Sequence, residues 1–210
     1  DFVPKGELFE KKRAAARKKL LHIASVLVGY EAPDDAVLIA TSGRYEFKNK
    51  GIDMYVDALN RLRLHYDGER EIIAFVLVPA WVNEPRADLL ERLASGESYR
   101  TPLPDPYITH TLHNMAEVVN QIRYCGFPQK PESKLKIIFV PSYLTGNDGI
   151  VDLTYYDTLI GFDATAFPSY YEPWGYTPLE SIAFGVPSVT TDLSGFGMWI
   201  KNMANYGLEG

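Results

Sequence analysis

Five short apolar runs punctuate this chain, spaced so that a helix fits between most successive pairs, and that pattern narrows the fold more than any other feature. The runs are Ala36–Thr41, Glu71–Val78, Lys136–Val140, Asp163–Phe167 and Pro187–Thr191. The first three show little alternation of polar and apolar residues, as in strands covered on both faces. Pro79, Pro141 and Pro168 follow three of the runs directly and stop them. Around and between them lie segments read as helices: Glu7–Val28, Lys50–His65, Arg86–Ala94, Leu112–Tyr124, Thr154–Ile160 and Tyr176–Phe184. In the second, Ile52, Tyr55, Val56, Leu59 and Leu62 recur at helical spacing. Alternation of this kind predicts an α/β fold, a Rossmann-like parallel sheet with helices on both faces. Ligands of such sheets bind at the carboxyl ends of the strands. Ser95–Thr109, rich in Gly, Pro and Ser, reads as a loop or flap.

Composition removes several classes of function. The net charge of −6 argues against nucleic acid as the main partner. Lys11, Lys12, Arg13, Arg17, Lys18 and Lys19 form a basic run, read here as the solvated face of an amphipathic helix. The apolar stretch Leu20–Gly29 is too short to span a bilayer, and no small-residue cleavage site follows it. Cys125 is the single cysteine, so no disulfide forms within the chain, and a cytoplasmic location is the simplest. Asp1 is not a methionine start and Asp1–Pro4 reads as linker, which points to a piece of a longer protein.

Two loops carry the chemistry. Phe167–Glu180 (FPSYYEPWGYTPLE) lies between a strand and a helix, bent by Pro173, Gly175 and Pro178. A helix starting near Tyr176 aims its free N–H groups and positive dipole end at the strand ends, a pocket suited to a diphosphate. Glu172 and Glu180 flank the bend and can accept hydrogen bonds from sugar or ribose hydroxyls. Thr41–Gly51 follows the first strand and brings Arg44 and Lys50 to the same end of the sheet. There they can meet a diphosphate, one as a fork and one as a point charge. Neither loop has the glycine spacing of a P-loop or a dinucleotide fingerprint. His110 and His113 lack a second ligand cluster, so they are read as surface or loop residues and not as metal ligands.

Taken together, SGRYEFKNKG (Ser42–Gly51), HNM (His113–Met115), KIIFVPSYL (Lys136–Leu144), FPSYYEPWGYTPLES (Phe167–Ser181) and LSGFG (Leu193–Gly197) resemble the family 3 glycogen synthases, in order and spacing over nearly the whole chain. The resemblance implies a GT-B fold of two Rossmann-like lobes facing a cleft, with residues 1–210 as the carboxy-terminal, nucleotide-sugar-binding lobe. Residues 1–35 would be a hinge-proximal helix and linker, and 80–112 a shortened form of the family's helical insertion. The implied reaction moves glucose from a nucleoside diphosphate glucose, UDP-glucose by preference, to the 4-hydroxyl end of an α-1,4-glucan with retention. It needs no metal or other cofactor. The acceptor would bind through the missing lobe, so these residues alone are expected to be inactive.

By the same resemblance, Arg44 and Lys50 match diphosphate-binding cations, Glu172 a residue facing the donor sugar, and Glu180 one facing the ribose. Trp174, Gly175, Tyr176 and Thr177 match the loop that contacts sugar and phosphate. Tyr155 matches an aromatic stacked on the base, with Tyr156 beside it as the other register. No nucleic-acid or membrane partner is implied, and homo-oligomerisation stays open. Two other readings compete: a noncatalytic nucleotide- or glucan-binding module of the same fold, and an oxidoreductase, against which the missing Gly-x-Gly-x-x-Gly counts.

Overall fold

A computed structural model describes residues 3–95 and 101–205. Parts of three expected segments, 1–2 of the linker, 96–100 of the flap and 206–210 at the end, lie outside the described residues. The sheet strands are β1 (Val37–Ser42), β2 (Ile72–Leu77), β5 (Leu135–Val140), β6 (Ala164–Phe167) and β7 (Ser188–Thr190). All pair in parallel, in the spatial order β5-β2-β1-β6-β7. The five expected strands are therefore present, each within two residues of its expected bounds.

Burial explains why the central strands read as continuous apolar runs. Along β2, Ile73, Phe75 and Leu77 enter one core cluster while Ile72, Ala74 and Val76 enter a second. Along β5, Ile138 and Val140 join the first, and Leu135, Ile137 and Phe139 the second. Helices α1 (Gly6–Val28) and α3 (Ala87–Ser95) supply the first cluster. Helices α2 (Ile52–His65) and α4 (Glu117–Cys125) supply the second. A strand sandwiched in this way reads as a near-continuous apolar run, with Lys136 in β5, buried against Glu71, as the exception.

Three departures from the sequence reading have clear causes. A short antiparallel pair, β3 (Val82–Pro85) and β4 (His110–Leu112), occupies the interval 80–112 together with α3. It takes Leu112 out of the expected helix, which begins only at Glu117. The segment before β4 is no free flap where it is described: Leu103, Tyr107 and Thr109 are buried. Arg86 holds that segment through the carbonyls of Pro104 (2.6 Å), Asp105 (2.8 Å) and Ile108 (3.0 Å).

The basic run of α1 is also more than a solvated face. Arg13 donates to the carbonyls of Ile160 and Phe162 (both 2.9 Å), and Arg13 and Arg17 grip Asp163 at 2.9 and 2.8 Å. Lys12 pairs with Asp157 at 2.5 Å. These bonds clamp α1 to the turn that feeds β6, while Lys11 and Lys18 stay exposed. His110 is buried, bonded to the Thr109 hydroxyl (2.8 Å) and the Asp148 carbonyl (3.0 Å), so it is a core residue and not a surface one.

The remaining helices are α5 (Tyr155–Leu159), α6 (Tyr176–Ala183) and α7 (Gly195–Asn205). The last has no counterpart in the sequence reading, because Gly195 and Gly197 in its first turn look like loop residues.

Candidate functional site

The strand order reverses between β1 and β6: the chain moves from β1 outward to β2 and β5, then returns to start β6 on the other side. The loops that leave two such neighbours run in opposite directions and open a crevice at their carboxyl ends. Both loops singled out in the sequence leave from this point.

Close backbone contact joins them. Gly51 has a φ of +65°, and a Cβ there would lie 1.8 Å from the Pro168 carbonyl oxygen. Only glycine permits that approach. The Tyr170 amide donates to the Asn49 carbonyl at 2.9 Å. Held in this way, Lys50 forms an ion pair with Glu172 across 122 positions of sequence, with side chains 16% and 20% exposed. Partial burial of both charges makes each dependent on the other.

Behind Glu172 runs the segment Leu193–Gly197. Gly195 N–H donates to the Glu172 carbonyl (3.1 Å), and Phe196 N–H to the Trp174 carbonyl (2.7 Å). A Cβ on Gly195 would lie 2.3 Å from the Pro173 carbonyl, and one on Gly197 1.9 Å from the Thr191 carbonyl. The two glycines therefore let this strap lie against the loop. In the sequence this segment stands out only as LSGFG, one of the stretches that carry the family resemblance, with no site role attached to it.

Helix α6 starts at Tyr176 behind Gly175, whose φ of +100° is left-handed. No side chain caps this end and no acidic residue lies in its first turn. Pro178 is buried in the first turn, where its missing N–H costs nothing. The free N–H groups form a positive helix end suited to an anion. Trp174 packs its edge against Phe196, with ring centroids 6.1 Å apart. Tyr176 is exposed, and Thr177 half-buried.

Glu180, half-buried one turn further on, accepts a hydrogen bond from the Tyr156 hydroxyl at 2.9 Å. Tyr156 stacks on Phe184, with centroids 4.9 Å apart and planes at 9°. Tyr155 shares a hydrogen bond with Ser42 at the end of β1 (2.8 Å) and meets Tyr156 edge-on. Burial pushes the Tyr155 hydroxyl up to about 12. Ser42 is thus a further residue of this cluster, and Tyr156, expected only as the other register for the base-stacking ring, is the partner of Glu180.

Of the sequence-predicted residues, the structure joins Lys50 to Glu172, places Gly175 to Thr177 at the start of α6, and sets Tyr155 and Glu180 on either side of Tyr156. It does not bring Arg44 to Lys50. The Arg44 side chain is 79% exposed and pairs with Glu46 at 3.0 Å, while Glu46 also accepts from Asn49 (2.8 Å). Among the described residues, no group of three or more His, Cys, Asp or Glu side chains could hold a metal ion. No helix there is long and apolar enough to cross a membrane.

A family model described as glycogen synthase matches residues 28–98 and 97–208. Glycogen [starch] synthase of Neurospora crassa is 32% identical over 235 aligned residues, which cover 84% of this chain and 33% of that protein. Isoform 2 of the same enzyme from Saccharomyces cerevisiae is 33% identical, covering 81% of this chain and 33% of its own length. The chain spans about a third of the length of the curated relatives it matches. Among solved structures, WaaG, a glycosyltransferase involved in lipopolysaccharide biosynthesis, is 16% identical with a TM-score of 0.44, over 92% of this chain and 36% of WaaG. The C-terminal domain of the glycosyl transferase LpcC from Francisella tularensis is 11% identical with a TM-score of 0.45, over 93% of this chain and 70% of that domain. With the family model matched across nearly all of residues 28–208, this chain belongs to the glycogen synthase family.

Proposed function

We propose that the chain is the donor-binding half of a retaining glycosyltransferase, the carboxy-terminal lobe of a GT-B glycogen synthase that takes glucose from UDP-glucose. The observation that carries the proposal is the Lys50–Glu172 pair beside the uncapped start of α6, at the point where the strand order reverses. A diphosphate arriving at the helix end meets Lys50, which then shares its charge between phosphate and Glu172. Arg44 reaches the diphosphate by leaving Glu46, its partner on an exposed loop. Together the two cations and the α6 amides stabilise the charge that builds on the leaving group.

Glu172, relieved of part of its pairing, accepts hydrogen bonds from the donor sugar. Trp174 to Thr177 surround sugar and phosphate. Glu180, oriented by Tyr156, takes the ribose, and the Tyr155 ring supports the base. These residues neutralise the leaving group without a metal or other cofactor. Transfer to the 4-hydroxyl end of an α-1,4-glucan requires a second lobe to close the site and exclude water. The 210 residues alone therefore make no glucan. A reducing cytoplasm fits the single cysteine, Cys125.

Saturation-transfer NMR on the chain with UDP-glucose tests this reading. Base, ribose and glucose protons should all receive saturation, because the proposed site spans all three. Saturation of none of them, or of the glucose alone, would sink the proposal.

A further inference from the structure

Helix α5 places its second tyrosine, Tyr156, directly against Glu180 of α6. The Tyr156 hydroxyl donates to Glu180 Oε1 at 2.9 Å, across 24 positions of sequence. The carboxylate beside it holds that hydroxyl above the ordinary tyrosine range, so the proton stays on Tyr156. Among the described residues, Glu180 Oε2 has no such partner.

Tyr156 is the fixed member of this pair. Its ring lies parallel to that of buried Phe184, with centroids 4.9 Å apart, and meets the Tyr155 ring edge-on at 5.3 Å. Its backbone is held as firmly. The Thr154 hydroxyl caps α5 by accepting from the Asp157 amide at 3.2 Å, and the Tyr155 amide donates to the Leu144 carbonyl at 2.9 Å. Asp157 in turn pairs with Lys12 of α1 at 2.5 Å. Glu180 is instead a long, rotatable side chain held at its carboxylate by Tyr156. Ordering such a side chain costs conformational entropy, and the Tyr156 bond offsets that cost before a ligand arrives.

A carboxylate has two acceptor oxygens, and a ribose presents neighbouring 2′- and 3′-hydroxyls. A carboxylate free to turn can accept from either hydroxyl or from both. With Oε1 bonded to Tyr156, Oε2 is left for the ligand, in one orientation. From this geometry we infer that Tyr156 is a positioning residue for the donor: it turns Glu180 so that Oε2 reads one ribose hydroxyl, and so sets the selection of a ribonucleoside over a deoxyribonucleoside diphosphate. This role rests on the proposed function above, in which Glu180 takes the ribose.

The test is calorimetric titration of the chain, Tyr156→Phe and Glu180→Ala with UDP, 2′-deoxy-UDP and 3′-deoxy-UDP. The unaltered chain should bind one deoxy analogue as tightly as UDP and the other about tenfold more weakly, the loss of one hydrogen bond to a charged group. Tyr156→Phe keeps the ring on Phe184 and removes only the hydroxyl. It should bind UDP more weakly and the two analogues about equally, because the released carboxylate can reach either hydroxyl. Glu180→Ala should no longer tell the analogues apart. A merely structural Tyr156 would weaken all three ligands alike and leave their ratios unchanged in Tyr156→Phe, and that result overturns the inference. Equal binding of both analogues by the unaltered chain, or discrimination that survives Glu180→Ala, overturns it too. In each of these cases UDP still binds and the donor site stands. Absence of UDP binding by the unaltered chain would instead refute the donor-site reading, and this role with it.

Discussion

At the scale of single residues, a partner decides what each polar side chain can do. Lys50 and Glu172 are held together by backbone contacts on both sides, so their meeting is fixed before any ligand arrives. Their loops were legible in the sequence because Gly and Pro punctuate strand ends. The pairing itself was not, since it depends on an approach between Gly51 and Pro168 that no local pattern encodes. Arg44 shows the opposite limit: an exposed arginine takes the nearest carboxylate, here Glu46.

Two predictions belong at this scale. The Tyr55 hydroxyl is buried and has no hydrogen-bond partner among the described residues. An unmet hydroxyl is costly, so Tyr55→Phe should stabilise the fold by about 1 kcal/mol, read as a higher denaturation midpoint; a lower one would mean that the hydroxyl has a partner. For Tyr155, the folded value near 12 lies above that of an unfolded tyrosine, which is about 10. The unfolded chain therefore loses this proton first, and stability falls as pH rises from the unfolded value through the folded one. Denaturation midpoints followed into that range should drop less steeply for Tyr155→Phe than for the unaltered chain.

At the scale of elements, strands and long helices were readable because each has one period and one kind of burial. The misses all involve tertiary partners. The β3–β4 pair is only three or four residues long on each side and includes Pro85, so propensity gives it no weight. Helix α7 starts at glycines that exist for close approach to Pro173 and Thr191. Gly51→Ala tests one such contact directly. With a positive φ and a carbonyl oxygen 1.8 Å from the added carbon, the substitution should cost at least about 1–3 kcal/mol and separate the two loops, weakening any ligand that bridges them. A variant as stable as the unaltered chain would contradict the close approach.

A second element-scale prediction concerns the opposite, amino edge of the sheet. Lys136 at the start of β5 is fully buried, bonded to Glu71 (2.8 Å) and to the Ser133 carbonyl (2.5 Å), and it lies 4.5 Å from the Tyr30 ring centroid. Tyr30 also donates to Glu71. Burial pulls the Lys136 ammonium below its ordinary range despite the carboxylate. Lys136→Met would strand Glu71 and should cost about 3–5 kcal/mol. Adding Glu71→Leu should restore most of that loss, because apolar pairs replace buried ion pairs well. Equal losses in the single and double variants would show that the pair, and not the stranded charge, sets the stability.

Across the whole molecule, one sheet carries three distinct jobs along its edges. The amino edge is tied by the Lys136 network, and β6 is clamped to α1 through Asp163. The carboxyl edge holds the crevice. The fold class was legible from the βα alternation alone, and the family from the long motif Phe167–Ser181. The spatial order of strands, which puts the crevice between β1 and β6, was not, because sequence gives the order of strands along the chain and not across the sheet.

Binding of a nucleoside diphosphate at this crevice is checked by calorimetric titration with UDP and ADP, on the chain and on Glu180→Ala and Lys50→Ala. UDP should bind in preference to ADP. Each substitution should weaken UDP by about tenfold or more, the loss expected for one charge-assisted contact. Absence of binding by either nucleotide, or UDP affinity untouched by both substitutions, would contradict it.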